Sequence, residues 1–248
     1  MLKQFYNIIN YKMRRNSIIS VYDKTGVVDL ALFLVKSKYN IWSSGGTYKY
    51  LKKQLDEFSS QFVFEIKDKT KFPEILNGRV KTLHPRIYGG ILADRDNVEH
   101  QSDLSTHGLC LFDLVVVNLY PFSKVIENTR HTHADAIENI DIGGVSLIRA
   151  AAKNYKDVSV LVSPNQYNEY LNKYETIDLE YRKYLAGYAY HNIAQYDISI
   201  AEYFDESTHY RSYTKVTSLK YGLNPYQTKA GISSINNKQL PGILLNGS

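Results

Sequence analysis

The chain has 248 residues, of which 44% are hydrophobic, and it carries a formal net charge of +5 at pH 7. Its length allows one large domain, or one domain and part of another, and no apolar run approaches the roughly 20 residues that cross a bilayer. Lys and Arg are spread along the chain without the aromatic interleaving of an RNA-binding sheet, so we expect neither a nucleic-acid partner nor a membrane partner.

Two features bear on the compartment in which the chain works. Residues 1–16 are basic and contain no acidic residue, but a transit peptide would be richer in Ser and Arg. We therefore expect a short N-terminal extension rather than a targeting signal. The single cysteine, Cys110, excludes an internal disulfide and favours a reducing, cytoplasmic location. Its apolar neighbours favour a buried, inert thiol over a nucleophile.

Strands and helices are predicted to alternate along the first two hundred residues. Short apolar runs predict strands at residues 17–22, 40–43, 62–66, 113–119 and 158–162. Segments with helical spacing follow the first two strands, the second of them ending near residue 58, and another helix opens at Gly143-Gly144. This alternation predicts an α/β fold with a mainly parallel sheet in a Rossmann-like layer. Ligands in such folds lie beyond the carboxyl ends of the strands.

The C-terminal part of the chain predicts a different organisation. Residues 178–204 predict one long helix or a helix pair, and the polar, weakly periodic residues 205–217 predict a linker. Residues 218–248 are too few to bury a core of their own, so we expect them to be loosely ordered. The main domain is accordingly predicted at residues 17–204.

Two glycine-containing loops predict a phosphate site. DKTG, residues 23–26, follows the first strand, and SGGT, residues 44–47, follows the second. Backbone N–H groups at a helix start bind anions, and the ammonium of Lys24 and the nearby hydroxyls would complete the site. One loop alone could be only a turn with a capping threonine. Two loops on adjacent strands, together with Arg79, favour phosphate, bound by Lys24, Ser44, Thr47 and the backbone at Gly45 and Gly46.

The octet GRVKTLHP, residues 78–85, is dense in basic side chains. It places Arg79, Lys81 and His84 between a glycine and a proline, and its two apolar residues give no amphipathic period. A solvated basic loop is the simplest interpretation. The neighbouring phosphate loops favour a loop that directs its charge at an anionic ligand.

Three further residues are candidates for proton transfer. Tyr120 ends the fourth predicted strand, because Pro121 cannot continue a central strand, although a half-buried aromatic role is also open. Asp141 precedes a helix start and could either act chemically or only cap the helix. Lys153 ends that helix and complements its dipole, yet the three preceding alanines could desolvate it and lower its pKa.

No metal site is predicted. The pair His131-x-His133 lacks further ligands at suitable spacing, and we interpret it as a polar loop. The Walker and GxGxxG phosphate motifs are absent, and no Ser-His-Asp or Cys-His arrangement follows from spacing.

Six segments, taken in order, resemble the inosine monophosphate cyclohydrolase domain of a bifunctional purine enzyme family, in which a transformylase is fused to a cyclohydrolase. They are VYDKTG, SSGGTYKYL, FPEILNGRVKTLHPRIYGGILADR, VVVNLYPF, IDIGGVSLIRAAAKN and HNIAQYD. A further segment, LKYGLNPYQTKA at residues 219–230, is similar to the opening of the transformylase domain. The resemblance thus implies a cyclohydrolase domain at residues 17–204 and a truncated start of the transformylase domain at residues 218–248.

The resemblance implies a methylglyoxal-synthase-like fold, a homodimer, and no cofactor for the cyclohydrolase step. Its substrate would be a phosphorylated ribonucleotide, the formylated aminoimidazole carboxamide ribotide, which closes to inosine monophosphate with loss of water. The cofactor 10-formyltetrahydrofolate would serve only the transformylase, an activity that we do not expect from this chain alone.

The resemblance also implies residue roles. Lys81 and Tyr120 would help to remove the amide proton, and Asp141, oriented by Lys153, would help to protonate the formyl oxygen. The substrate would be held by Lys24, Thr25, Ser44, Gly45, Gly46, Thr47, Arg79, Thr82, Asn118, Gly143 and Gly144. The sequence departs from the family pattern at three positions, where serine, arginine and histidine are usual: Tyr22, Lys220 and Tyr226.

Two other functions are compatible with this fold. A methylglyoxal synthase would also bind a phosphorylated substrate, but it would not require the set Lys81, Tyr120, Asp141 and Lys153. A non-catalytic nucleotide-sensing module could keep the phosphate loops and lose those four residues. Their presence favours the cyclohydrolase.

Overall fold

A computed structural model describes residues 14–205, 207–210, 213–219 and 230–235 of the chain. The chain divides into two compact units, Met1–Asp197 and Ile198–Ser248. Most of the predicted N-terminal extension, and Lys220 and Tyr226 in the predicted transformylase segment, lie outside the described residues. The predicted domain boundaries remain a prediction.

The first unit is built on a five-stranded parallel sheet. Its strands are β1 (Arg15–Val21), β2 (Tyr39–Ser43), β3 (Val63–Glu65), β4 (Leu114–Asn118) and β5 (Ser159–Leu161). They lie in the order β3-β2-β1-β4-β5, and every neighbouring pair is parallel. The middle strands are buried on both faces, as expected of a parallel sheet covered by helices. The predicted α/β fold is therefore confirmed.

Helices connect the strands and cover the sheet. They are α1 (Val27–Lys36), α2 (Gly45–Gln54), α3 (Glu57–Ser60), α4 (Ile66–Thr70), α5 (Pro85–Leu92), α6 (Val98–Thr106), α7 (Phe122–Glu127), α8 (His133–Glu138), α9 (Ile142–Lys153), α10 (Tyr167–Lys173) and α11 (Leu179–Phe204). Single 3-10 turns lie at Leu76–Gly78, Pro164–Gln166 and Tyr174–Thr176. Among the described residues, none of these helices is both long and apolar enough to span a membrane.

The helices follow their apolar periods, with one difference from the prediction. The helix after the second strand does not run on to residue 58, because α2 ends at Gln54 and α3 begins at Glu57. The carboxylate of Asp56 accepts the N–H of Ser59 at 2.9 Å and so caps the start of α3. By stabilising the start of α3, the Asp56 cap favours a break after α2.

The two strands of the second unit were not predicted. Strand β6 (Tyr213–Leu219) pairs antiparallel with β7 (Ala230–Ile235), with an irregularity between Lys215 and Thr217. Strand β6 begins inside the segment for which the sequence predicts a linker. The strand itself, YTKVTSL, is rich in β-branched and aromatic residues, which favour strands.

The sheet order fixes where a ligand site can form. Strand β1 lies between β2 and β4. The chain runs from β1 through β2 to β3 towards one edge of the sheet, and the next strand, β4, lies on the other side of β1. In parallel α/β sheets such a reversal opens a crevice at the carboxyl ends of the strands. Val21 and Asn118, the last residues of β1 and β4, are paired across this crevice.

Candidate active site

A cavity of about 630 Å³ opens at the carboxyl ends of β1, β2 and β4. Its wall combines loops that are far apart in the sequence and brings together most of the predicted site. The predicted residues that line it are Lys24, Ser44, Gly45, Gly46, Thr47, Arg79, Lys81, Thr82, Asn118, Tyr120, Asp141, Gly143 and Gly144. Of the residues predicted as ligands or catalytic groups, Thr25 and Lys153 are not part of this wall.

Asn118 ties the loop after β1 to the end of β4. Its side-chain oxygen accepts the N–H groups of Tyr22 and Asp23 at 2.6 and 2.8 Å, and its side-chain nitrogen donates to the carbonyl of Asp23 at 2.9 Å. The amide thus makes three bonds to the backbone of one loop. In this structure Asn118 shapes the cavity wall as well as lining it.

Lys24 folds back over the end of β1. Its ammonium donates to the carbonyl of Val21 and, at 3.2 Å, to that of Tyr22. Burial lowers the pKa of Lys24. The neighbouring Thr25 is exposed, and its N–H donates to the carboxylate of Asp23 at 2.9 Å, so it stabilises the turn.

The loop after β2 leads directly into α2. Ser44 is the N-cap residue of α2, and Gly45 and Gly46 form its first turn, where backbone N–H groups have no partner within the helix. The hydroxyl of Thr47 instead accepts the N–H of Val21 at 3.1 Å and donates to its carbonyl at 2.9 Å. Thr47 is 4% exposed, and it joins α2 to β1 rather than offering a free hydroxyl.

Lys81 crosses from the basic loop to the start of α2. Gly78 and Gly45 both have positive φ angles, of 86° and 52°, and both leave room for this side chain. A Cβ atom on Gly78 would lie 2.6 Å from Lys81 Cε, and one on Gly45 would lie 3.3 Å from Lys81 Nζ. The ammonium is also 3.9 Å from a carboxylate oxygen of Glu74. The structure therefore brings Lys81 to the glycine loop that the sequence predicts as a phosphate site.

Arg79 is paired with an acidic residue that the sequence did not indicate. Its guanidinium donates to the carboxylate of Glu138, at the end of α8, and both side chains line the cavity. The hydrogen bond and charge of Arg79 lower the pKa of Glu138. No motif or periodicity marks Glu138, because the pairing depends on how two distant loops meet.

Asp141 combines helix capping with a partly dehydrated carboxyl. It is the N-cap residue of α9, and its Oδ1 accepts the N–H of Gly144 at 2.7 Å. Burial raises the pKa of Asp141, while the Gly144 N–H and the charge of Lys81 act in the opposite direction. A Cβ atom on Gly144 would lie 2.5 Å from Asp141 Oδ2, so glycine makes this approach possible. The capping role and a chemical role are compatible.

Tyr120 stands at the mouth of the cavity beside Tyr22. The two ring centroids are 4.9 Å apart at an interplanar angle of 47°, and the residues are 48% and 52% exposed. About half of Tyr120 is thus open to solvent, at the end of the strand where the sequence places it. Tyr22, which replaces the usual serine of the family pattern, gives Tyr120 an aromatic neighbour.

Of the two interpretations of Lys153, the structure favours an exposed lysine at the end of a helix over a desolvated one. Lys153 ends α9, whereas Asp141 caps its start, and a rise of about 1.5 Å per residue separates the two by roughly 18 Å. Lys153 is exposed, while the alanines before it are buried against the sheet. The helix periodicity points the alanines and the lysine in different directions, so the lysine neither orients Asp141 within this chain nor reaches the cavity.

Cys110 lies outside this cavity. Cys110 is half-buried, and burial raises the pKa of its thiol, which is in keeping with the inert cysteine that we predicted. Within the described ranges, no three side chains of His, Cys, Asp or Glu come together in a way that could hold a metal ion.

Known proteins match most of this chain in sequence. Residues 26–146 match the MGS-like domain family, and residues 151–244 match the AICARFT/IMPCHase bienzyme family. The bifunctional purine biosynthesis protein PurH of Staphylococcus saprophyticus is 41% identical over 240 residues, covering 91% of this chain and 46% of the relative. PurH of Clostridium botulinum strain Hall is 44% identical over 230 residues, covering 90% and 45%.

A solved structure, that of ForH, matches this fold over the full length of ForH. The crystal structure of ForH is 30% identical to this chain with a TM-score of 0.68, and the match covers 79% of this chain and 100% of ForH. The chain spans about half the length of the curated relatives it matches. On these matches, together with the MGS-like fold and the ordered site segments, the chain belongs to the AICARFT/IMPCHase bienzyme family.

Proposed function

We propose that this chain is an inosine monophosphate cyclohydrolase. The observation that carries the proposal is one cavity that combines the N-terminus of α2 with Lys24, Lys81, Tyr120 and Asp141. Cations and helix N–H groups suit a 5′-phosphate. The other groups suit proton transfer on the heterocycle of the same ligand.

The proposed reaction closes a six-membered ring with loss of water. The carboxamide nitrogen of the formylated ribotide bonds to the formyl carbon and gives up a proton to Lys81, which has to be the neutral amine at this step, with Tyr120 assisting. On ring closure the formyl oxygen takes a proton from Asp141 and becomes a hydroxyl. The hydroxyl takes a second proton and leaves as water, and the former formamide nitrogen loses its own proton as the ring C=N bond forms. Both reacting groups belong to one molecule, so orientation and proton transfer account for the rate, and no cofactor is required.

The environment of Asp141 suits the role of proton donor. Burial raises its pKa, which increases the fraction of the carboxyl that still holds its proton near neutral pH. The glycines near Lys81 leave space for its side chain to reach the same cavity.

We further propose that the chain works as a cytoplasmic homodimer, and that formyl transfer from 10-formyltetrahydrofolate is not catalysed by this chain alone.

A direct assay tests the proposed function. The purified chain is incubated with the formylated aminoimidazole carboxamide ribotide, and inosine monophosphate is followed by absorbance. We expect turnover in the wild type and a loss of about 10²–10⁴-fold in kcat in Lys81→Ala, because one positioned proton-transfer group is removed. Lys53→Ala, an exposed lysine of α2 outside the cavity, is the matched control and should retain full activity.

The same assay separates the other two candidate functions. Product at no more than the uncatalysed rate, with inosine monophosphate still bound, would favour the nucleotide-sensing module. Absence of both binding and turnover would leave a methylglyoxal synthase to be assayed with its own smaller substrate. Near-wild-type kcat in Lys81→Ala would remove Lys81 from the mechanism.

A further inference from the structure

A tyrosine of the long helix α11 holds the segment that leads to Asp141. The main-chain N–H of Asp141 donates to the hydroxyl of Tyr196 at 2.8 Å, and this hydroxyl donates to the carbonyl of Asn139 at 3.2 Å. One side chain therefore satisfies a donor and an acceptor two positions apart in the same turn. Tyr196 lies in HNIAQYD, a segment for which the sequence predicts no role.

The ring of Tyr196 reaches the segment of a second proposed proton-transfer residue. It packs edge-on against Phe122, with centroids 6.3 Å apart at an interplanar angle of 71°. Phe122 is 1% exposed and begins α7, and its N–H donates to the carbonyl of Tyr120 at 2.8 Å. Tyr196 thus contacts the chain next to Tyr120 with its ring and the chain at Asp141 with its hydroxyl.

These contacts complete the restraint on Asp141. Its carboxylate is held by the N–H of Gly144, on the helix side, and its main-chain N–H is held by Tyr196. Because hydrogen bonds hold both the main chain and the carboxyl group of Asp141, and the side chain between them is short, the carboxyl has little freedom to move. A displacement of about 1 Å in a reacting group can cost roughly 10²-fold in rate.

We propose that Tyr196 is a positioning residue for the cyclohydrolase reaction, which fixes Asp141 through its hydroxyl and the Tyr120 segment through its ring. This inference rests on the proposed function. Tyr196 touches no substrate in this scheme, since it contacts the main chain of Asp141 and the ring of Phe122.

The pH profile distinguishes positioning from simple support of the fold. Charged or titratable groups face Asp141 from three elements: Lys81 from the basic loop, Tyr88 from α5 and Tyr196 from α11. Without the Tyr196 hydroxyl, the Asp141 segment loosens and water reaches the carboxyl, which moves its pKa down towards the ordinary value. Because the protonated carboxyl is the donor, the decline of kcat with rising pH should move to lower pH.

The experiment compares Tyr196→Phe with Tyr188→Phe, which removes an exposed hydroxyl from the same helix. We expect Tyr196→Phe to lose about 10–100-fold in kcat, with little change in KM or in affinity for inosine monophosphate, and to show the shifted pH profile. Amide hydrogen exchange at Asp141 should also become faster. Tyr188→Phe should match the wild type in every measurement.

Three outcomes would overturn the inference, and they can be told apart. Wild-type kcat and pH profile in Tyr196→Phe would reject positioning while the proposed function stands. An equal loss of kcat, nucleotide affinity and thermal stability would show a role in folding only. A wild-type chain without turnover would reject the proposed function and the inference with it, and hydrogen exchange would still report whether the hydroxyl holds Asp141.

Discussion

The pairing of Arg79 with Glu138 has a consequence for ligand affinity. A phosphate that approaches Arg79 has to compete with a carboxylate already bound to it. We expect Glu138→Gln to strengthen binding of inosine monophosphate by roughly two- to five-fold, a small gain because both side chains are exposed and screened by solvent. Isothermal titration at low salt measures it.

Two further variants test that explanation. In an Arg79→Ala background, Glu138→Gln should have no effect, because its only proposed action is to release Arg79. Glu57→Gln, on the exposed helix α3, controls for the loss of one negative charge. If Glu138→Gln weakened binding, Glu138 would have to contact the ligand favourably.

Asp141 makes a testable link between activity and stability. Burial raises the pKa of its carboxyl in the folded state, so folding takes up a proton between the ordinary pKa and the raised one. The folded state therefore loses stability as pH rises through that window, and the cost is complete above it. We expect Asp141→Asn to unfold at a higher temperature than the wild type at pH 7, because the amide keeps the cap to Gly144 without a charge.

The same variant should lose most of its turnover. Asparagine cannot give a proton to the formyl oxygen, so a fall in kcat of about 10²–10⁴-fold is expected. The gain in thermal stability should shrink as the pH is lowered, and it should level off below the ordinary pKa of Asp, where the wild-type carboxyl is neutral in both states. A stability difference that does not vary with pH would contradict the assigned burial effect.

At the scale of elements, two helical glycines should respond in opposite ways to alanine. Gly144, in the first turn of α9, has no room for a Cβ atom, which would meet Asp141 Oδ2 at 2.5 Å and Leu119 Cδ2 at 2.9 Å. Gly187, in the interior of α11, has no other heavy atom within 4 Å of that position. We expect Gly187→Ala to raise the free energy of unfolding by about 0.5–1 kcal/mol and Gly144→Ala to lower both stability and kcat.

Chemical denaturation of the two variants, with the cyclohydrolase assay, checks this contrast. Gly187→Ala serves as the matched control, since it makes the same change in a helix that has space for it. Wild-type activity in Gly144→Ala would mean that Asp141 can move away without cost, which would contradict its role as a fixed proton donor.

The sequence predicted some elements well because local rules decide them. The apolar face of α1, with Val27, Leu30, Ala31 and Leu34 buried, follows from helical spacing alone. The break between α2 and α3 was missed because the cap formed by Asp56 competes with a helix pattern that continues through it. The sequence left the environment of Lys153 open, because neighbours in sequence on a helix point in different directions.

At the scale of the whole molecule, the sequence indicated the cavity but not all of its contacts. Loops that follow parallel strands must meet at one edge of the sheet, so the convergence of Lys24, Gly45 and Asn118 could be predicted. The strand order and the partners Glu138 and Tyr196 could not, because they depend on how distant segments pack. The hydroxyl of Thr47 was predicted as a ligand because its bonds to β1 have no local signature.

The hydrogen bond between Asp141 and Tyr196 bears on how far the working unit extends. The two families that the sequence matches, at residues 26–146 and 151–244, meet inside α9 rather than between compact units. A shortened chain divided at that junction would keep every loop of the cavity yet lose β5 and the tyrosine behind the proposed acid. If the proposed function holds, a fragment with the full rate would therefore have to extend through Tyr196.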